Sequence, residues 1–170
     1  MSSFSVPPDI DEVWVVENKA TFLSFPERSG TAVIYGSGKA GVSAIAAAKW
    51  VCQLPFRFYW GDMDADGLEI LNTYRKAGYS CQSVLMDIDS YHIWEPYGTN
   101  ISTSKTELAD HKDADISFLE APEAELYQEL CSPTSKCYRR IEQEKIPFSY
   151  ATDYADSLRQ DNNDSSGRVE

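Results

Sequence analysis

Asp62, Asp64 and Asp66 stand at alternate positions, and Gly67 closes the run, within residues 56–75, FRFYWGDMDADGLEILNTYR. Three carboxylates so close in sequence repel one another and raise one another's pKa unless a cation sits among them. The chemistry that suits such a cluster is the binding of a hard divalent cation. Mg²⁺ prefers oxygen donors at about 2.0–2.1 Å, takes few carboxylates, and keeps water and substrate phosphate as its remaining ligands. An ion held in this way neutralises a phosphodiester, lowers the pKa of a bound water and stabilises the leaving oxygen. Aspartates ahead of a helix also serve as N-caps and match the helix dipole, but one cap needs one aspartate and this turn carries three.

Two other acidic motifs fit less well. A calcium-binding EF-hand loop counted from Asp62 meets its first demands, but its twelfth position is Thr73 rather than Glu, and a strand rather than a helix precedes it. A phosphoaspartyl-transfer motif would make Asp62 the nucleophile and Asp64 the acid, and expects Thr or Val where Asp66 stands. What remains is a hydrolytic Mg²⁺ site, with Mn²⁺ as an alternative, built from Glu17, Asp62 and Asp64. Glu17 is a ligand or a general base. Asp66 is a further ligand, and Asp66 or Asp87 would complete a second site if two ions roughly 4 Å apart divide the work.

Such a cluster needs elements that bring it together. EVWVVE, residues 12–17, is a compact apolar run with β-branched valines and ends in Glu17. A short helix follows over 19–25, then the strand TAVIY at 31–35 and the Gly-rich turn GSGKAG. An Ala-rich helix is expected over 42–54 with Ser43 as its cap, broken by Pro55. The strand at 56–60 leads into the acidic turn and a helix that stops at Gly78. A fourth strand, 82–86, closes in Asp87. Apolar strands alternating with helices imply an α/β fold, a Rossmann-like parallel sheet flanked by helices. Ligands in such sheets gather at the carboxyl ends of the strands, which sends Glu17, residues 36–39, Asp62 with Asp64, and Asp87 to one edge. Beyond it the chain predicts helices over 122–130 and 135–145, and a tail from 151 that is disordered at its end.

GSGKAG lacks the full phosphate-loop pattern, because Ala40 follows Lys39. Its backbone N–H groups and Lys39 are still candidates to approach a phosphate, as are Arg139 and Arg140. A tight strand-to-helix turn explains the glycines equally well.

Length and composition set the frame. At 170 residues with 42% hydrophobic content the chain makes one domain with a sizeable core, here assigned to 11–150, after a lead-in at 1–10. No apolar run reaches the roughly 18–20 residues of a membrane span, and the start is no signal peptide. Cys52, Cys81, Cys131 and Cys137 form no CxxC pair and read as reduced thiols of a cytoplasmic protein. His92 and His111 give a histidine-based centre little to work with. The net charge of −12 argues against nucleic acid, but residues 106–130 alone carry eight acids and one Lys. Apart from its acidic site, the remainder is near neutral, without a broad basic groove.

A Glu ending the first strand and a DxD ending the third resemble the Toprim pattern of topoisomerases, primases and several nucleases. The finer resemblance is to the nuclease subunit of Wadjet-type plasmid-defence systems, the JetD family. It rests on VVENKATFLSF (15–25), IYGSGKA (34–40), YWGDMDADGLEILNTYR (59–75) and RRIEQEKIP (139–147), and covers roughly 12–150. The first and third motifs are the specific ones. The resemblance implies a C-terminal Toprim domain related to the topoisomerase VI subunit that joins a winged-helix domain to its Toprim domain. It implies metal-dependent cleavage of plasmid DNA, with Glu17, Asp62 and Asp64 carrying the metal. It also implies an SMC-type complex as partner, and related domains suggest a homodimer. The chain has no room for the N-terminal winged-helix part of those proteins, so it is expected to be a fragment or a short relative, and hydrolysis is favoured over attack by a Tyr. The rivals are a non-cleaving docking module, favoured by the acidic surface, and a metal-dependent hydrolase of small phosphoesters.

Overall fold

The computed structural model of the chain describes residues 9–102, 104–108 and 114–166. Four strands, β1 (Glu12–Val16), β2 (Thr31–Tyr35), β3 (Phe56–Trp60) and the short β5 (Gln82–Ser83), form a parallel sheet in the order β2-β1-β3-β5. β1 lies at the centre, and Val16 pairs with Tyr35 on one side and Trp60 on the other. The three strand ends are therefore level, and the residues that follow them share one edge. All five residues of β1 are buried, as expected for a strand covered on both faces.

Alternate side chains of a strand point to opposite faces, and the aromatics sort accordingly. Trp14, Phe58 and Trp60 pack with Phe25, which caps α1 (Lys19–Ser24), and with Phe148 at the start of α7 (Phe148–Ser166). Tyr59 faces the other way, against Tyr74 of α4 (Ala65–Lys76), which in turn meets Tyr79. α2 (Val42–Ala47) and α3 (Lys49–Gln53) connect β2 to β3. α5 (Ile88–Trp94) and α6 (Ala121–Cys131) pack on each other beyond β5. Burying one such large apolar side chain contributes about 1.5–3 kcal/mol, so these two aromatic layers set how the helices sit on the sheet.

Several local expectations are corrected. The helix over 42–54 is interrupted at Ala48, whose ψ of 87° leaves the helical region, and Gly41 rather than Ser43 occupies the N-cap of α2. The fourth strand is two residues long, because Leu85 takes a φ of +58° and turns the chain. No helix spans 135–145. Its centre is β6 (Arg140–Ile141), antiparallel to β4 (Met63–Asp64), followed by a 3₁₀ turn at Gln143–Lys145. The stretch from 151, expected as a tail, is helical through Ser166, with Ala151 and Ala155 fully buried on α7, and the part of that expectation beyond 166 lies outside the described residues. α7 crosses one face of the sheet from Trp60 at one edge to Glu12 and Phe56 at the other, which Arg159 reaches. Among the described residues no disulfide joins any of the four cysteines. Among the described residues no helix is long and apolar enough to cross a membrane.

Candidate active site

Glu17 follows β1 directly, and Asp62 and Asp64 follow β3, so the parallel register brings them to one edge of the sheet. With Asp66, Arg140, Asn18 and Ile70 they line an open cavity of about 210 Å³. Asp64 is 7% exposed, Asp66 is exposed on the first turn of α4, and Asp62 lies between these extremes.

Each carboxylate is held differently. Glu17 is drawn under the Gly-rich turn, where the Gly38 N–H donates to Oε2 at 2.5 Å. The turn thus cradles a carboxylate of its own chain. Gly36 leaves room for this carboxylate, since a Cβ on it would stand 2.2 Å from Glu17 Oε1 and one of the two would have to shift. That oxygen is buried and has no hydrogen-bond partner among the described residues. Burial pushes the Glu17 carboxyl up in pKa, more than the Gly38 N–H and the neighbouring Tyr74 hydroxyl pull it down. Tyr74 itself donates to Gly36 O at 3.2 Å and steadies the turn.

Asp62 Oδ1 accepts the backbone N–H of Gln143 at 2.8 Å. Burial, helped by the charge of Asp64, pushes its carboxyl up to about 6, against the pull of that N–H and of Arg140. Asp64 is the N-cap of α4, with Oδ1 accepting from Gly67 N at 2.7 Å. Its Oδ2 accepts from Arg140 Nε at 2.7 Å, while Arg140 Nε stands 4.0 Å from Asp62. Burial again pushes the Asp64 carboxyl up, against the Gly67 N–H and the guanidinium. The capping role weighed in the sequence therefore does belong to Asp64, and Asp62 and Asp66 stand outside it.

The segment 140–143 organises the centre. Arg140 holds Asp64, Gln143 N holds Asp62, and Gln143 Oε1 accepts from Asn18 N, next to Glu17, at 3.3 Å. Gln143 and Asn18 were not predicted. Gln143 has no local signal, because its role comes from a turn that forms only when β6 pairs with β4. Asn18 did carry one: it is the N-cap of α1, accepting from Ala20 N and Thr21 N.

Other predicted residues lie elsewhere. Asp87 does not join the cluster. It caps α5, accepting from Ser90 and from the Tyr154 hydroxyl at 2.8 Å, and lines a separate cavity with Glu123. The β5 ladder ends at Ser83, and the turn at Leu85 carries Asp87 away. Lys39 reaches Glu69 of α4 at 2.8 Å and does not line the site. Arg139 donates from its backbone N to Asn100 and from its guanidinium to Leu130 O. His92 is exposed on α5, and His111 falls outside the described residues.

A divalent cation fits this donor set in kind and charge. The donors are carboxylate oxygens, and among the described residues Glu17 Oε1 is buried without a partner and the cavity is lined by four acids and one guanidinium. As the side chains stand, no three His, Cys, Asp or Glu among the described residues are arranged to hold one ion. Three of the carboxylate oxygens are taken up by Gly38 N, Gln143 N and Gly67 N, and a fourth by Arg140.

The chain matches the family described as "Wadjet protein JetD, C-terminal" over residues 2–155. It belongs to that JetD C-terminal family. Membership implies a role in a Wadjet defence system. The matched span takes in β1 to β6 and all four acids of the cavity, and ends within α7. No curated protein matches the chain.

Proposed function

We propose that this domain is the catalytic part of a Wadjet-type nuclease, hydrolysing phosphodiesters of plasmid DNA with a divalent cation. The observation that carries the reading is the meeting of Glu17, Asp62, Asp64 and Asp66 in one open cavity at the carboxyl edge of a parallel sheet. Isolated buried carboxylates are costly, and the fold gathers several where two would repel. Mg²⁺ or Mn²⁺, when bound, would supply charge neutralisation of the phosphate and an acidified water. Glu17, Asp62 and Asp64 would hold it, with Asp66 at the exposed rim. Gly38, Gln143 and Gly67 orient these side chains through backbone N–H groups. Arg140, which lines the cavity, would meet the phosphate, and the other members of the Wadjet complex, SMC-type proteins among them, would deliver the DNA.

A docking module without cleavage is the second reading. It is favoured by the pairing of Asp64 with Arg140, which neutralises one of the proposed ligands within the chain. Calorimetric titration of Mg²⁺ and Mn²⁺, with and without short duplex DNA, separates the two. Binding by the parent that is lost in Asp62→Ala with Asp64→Ala supports the nuclease. Plasmid cleavage reconstituted with the partner proteins and abolished in the same variant completes the case. Silence of the parent under every condition supports the docking module.

A further inference from the structure

We propose that Arg140 is an exchangeable counter-ion: it holds Asp64 until a divalent cation enters the cluster, and then turns to a phosphate of the DNA strand. The inference rests on the divalent-ion reading above and adds a moving part to it.

Arg140 engages Asp64 through Nε alone, and its Nη nitrogens make no hydrogen bond to the described residues. A permanent structural arginine commonly uses the guanidinium fork on its carboxylate. Arg75 does so here, with Nη1 at 2.5 Å and Nη2 at 2.9 Å from the two oxygens of Glu123. Arg140 is tied to Asp64 at one point and lines the cavity.

Its mounting is equally distinctive. β6 is two residues long and pairs with β4 in a ladder apart from the main sheet, with one further bridge from Arg140 to Thr99. Neither the four-stranded sheet nor its two aromatic layers has to move for the side chain to swing. Lys39 and Arg139 are committed to Glu69 and to Leu130 O. Of the three basic side chains predicted to meet phosphate, Arg140 is the one at the acids.

The electrostatics give the exchange a direction. Glu17, Asp62, Asp64 and Asp66 face one guanidinium, so the cluster keeps an excess of negative charge. A fixed guanidinium beside Asp64 would oppose an incoming cation at close range in a partly buried site. Released, the same group offers the planar donor set suited to a phosphate. Arg140 would then link metal occupancy to DNA affinity, since whatever favours one favours the other.

The test follows the Arg140 Nε–H resonance in the arginine-labelled 170-residue chain, assigned by its loss in Arg140→Lys, while Mg²⁺ is titrated and its binding is measured by calorimetry. We expect the resonance to shift and its exchange with water to rise at least about tenfold as the metal saturates. In parallel, Arg140→Met is expected to bind Mn²⁺ at least about tenfold more tightly and, with non-cleaving Ca²⁺ present, to bind short duplex DNA at least about tenfold more weakly. Bound metal with an unmoved Arg140 resonance, or a folded Arg140→Met with unchanged or weaker metal affinity, overturns the exchange and leaves the metal site standing. If no divalent ion binds the parent with or without DNA, the metal reading falls and takes this inference with it. Should Arg140→Met fail to fold by circular dichroism, the resonance experiment on the unaltered chain still decides.

Discussion

Arg140 and Asp64 face each other across the β4–β6 ladder, joined by a 2.7 Å hydrogen bond between Nε and Oδ2. The same carboxylate caps α4 through Gly67 N. Asp64 is therefore cap, ion-pair partner and cavity wall at once. Asp62, two residues earlier, accepts among the described residues only the Gln143 N–H at comparable distance. The two halves of the DxD pair do different work for the fold although both face the cavity.

This division makes their substitutions unequal. Asp64→Ala strips a cap and leaves a partly buried guanidinium without its partner, which should cost about 3–5 kcal/mol. Asp62→Asn keeps an acceptor for Gln143 N–H and removes a charge that burial opposes, so it should lower stability by no more than about 0.5 kcal/mol. Urea denaturation at neutral pH measures both. Equal losses would mean that Arg140 does not depend on Asp64.

A pH dependence follows from Asp62. Its folded carboxyl is pushed up to about 6 by burial, from an ordinary 3.8. Between those values the folded state binds more protons than the unfolded one, so this group favours folding at low pH. The contribution is complete below the ordinary value and is lost as pH rises through about 6. Proton and metal compete for the same oxygens, so Mg²⁺ affinity should fall below about pH 6 while Asp62→Asn removes that component of the pH profile. Calorimetric titrations on either side of about pH 6 check the first statement. Urea curves for parent and variant over the same range check the second.

Gly36 is the point where the Gly-rich turn and the acidic site constrain each other. Gly36→Ala places a Cβ 2.2 Å from Glu17 Oε1, and either the turn or the carboxylate must shift. The expected cost is about 1–3 kcal/mol, with metal affinity reduced as Glu17 moves. Introducing Gly36→Ala into Glu17→Ala should cost clearly less, because the clashing group is gone. A double-mutant cycle by urea denaturation reads the coupling, and strict additivity would show that the clash is relieved elsewhere.

The sheet and its edge were legible because β1 and β3 are short apolar runs that end in carboxylates, and a parallel register leaves those ends level. The acidic turn was legible from the alternation of Asp62, Asp64 and Asp66. The sequence shows Arg140 as basic but hides its place on a strand, since β6 is two residues long and exists only by pairing with β4. The helix expected over 135–145 failed for the same reason: a tertiary ladder overrode a weak local preference. α7 was missed because its buried positions include Ala151 and Ala155, small residues that give little hydrophobic signal. Asp87 would reach the site only if the fourth strand ran on through Leu85, whose positive φ no residue type announces.

What α7 does for the sheet can be tested at Glu12. This carboxylate is fully buried at the start of β1 and accepts from Arg28, Arg159, Trp14 Nε1 and Thr31 Oγ1. Burial pushes its carboxyl up, but the hydrogen bonds from Arg28, Trp14, Arg159 and Thr31 together hold it below the ordinary range. The stability it contributes is thus present above an ordinary 4.5 and is lost as pH falls through the lower folded value. Arg159 also lies over the Phe56 ring at 4.1 Å, so α7 is fastened to the far end of the sheet by charge and by stacking. Glu12→Gln should cost about 3–5 kcal/mol, since two arginines lose a buried partner. Arg159→Met should cost about 1.5–3 kcal/mol, the range for a hydrogen bond to a charged group. Hydrogen exchange of the α7 amides should rise in Arg159→Met before global unfolding, showing the helix loosening from the Glu12 end. If α7 exchanges only with the whole domain in that variant, the aromatic contacts at Phe148 suffice to hold it and the Glu12 cluster serves β1 and β2 alone.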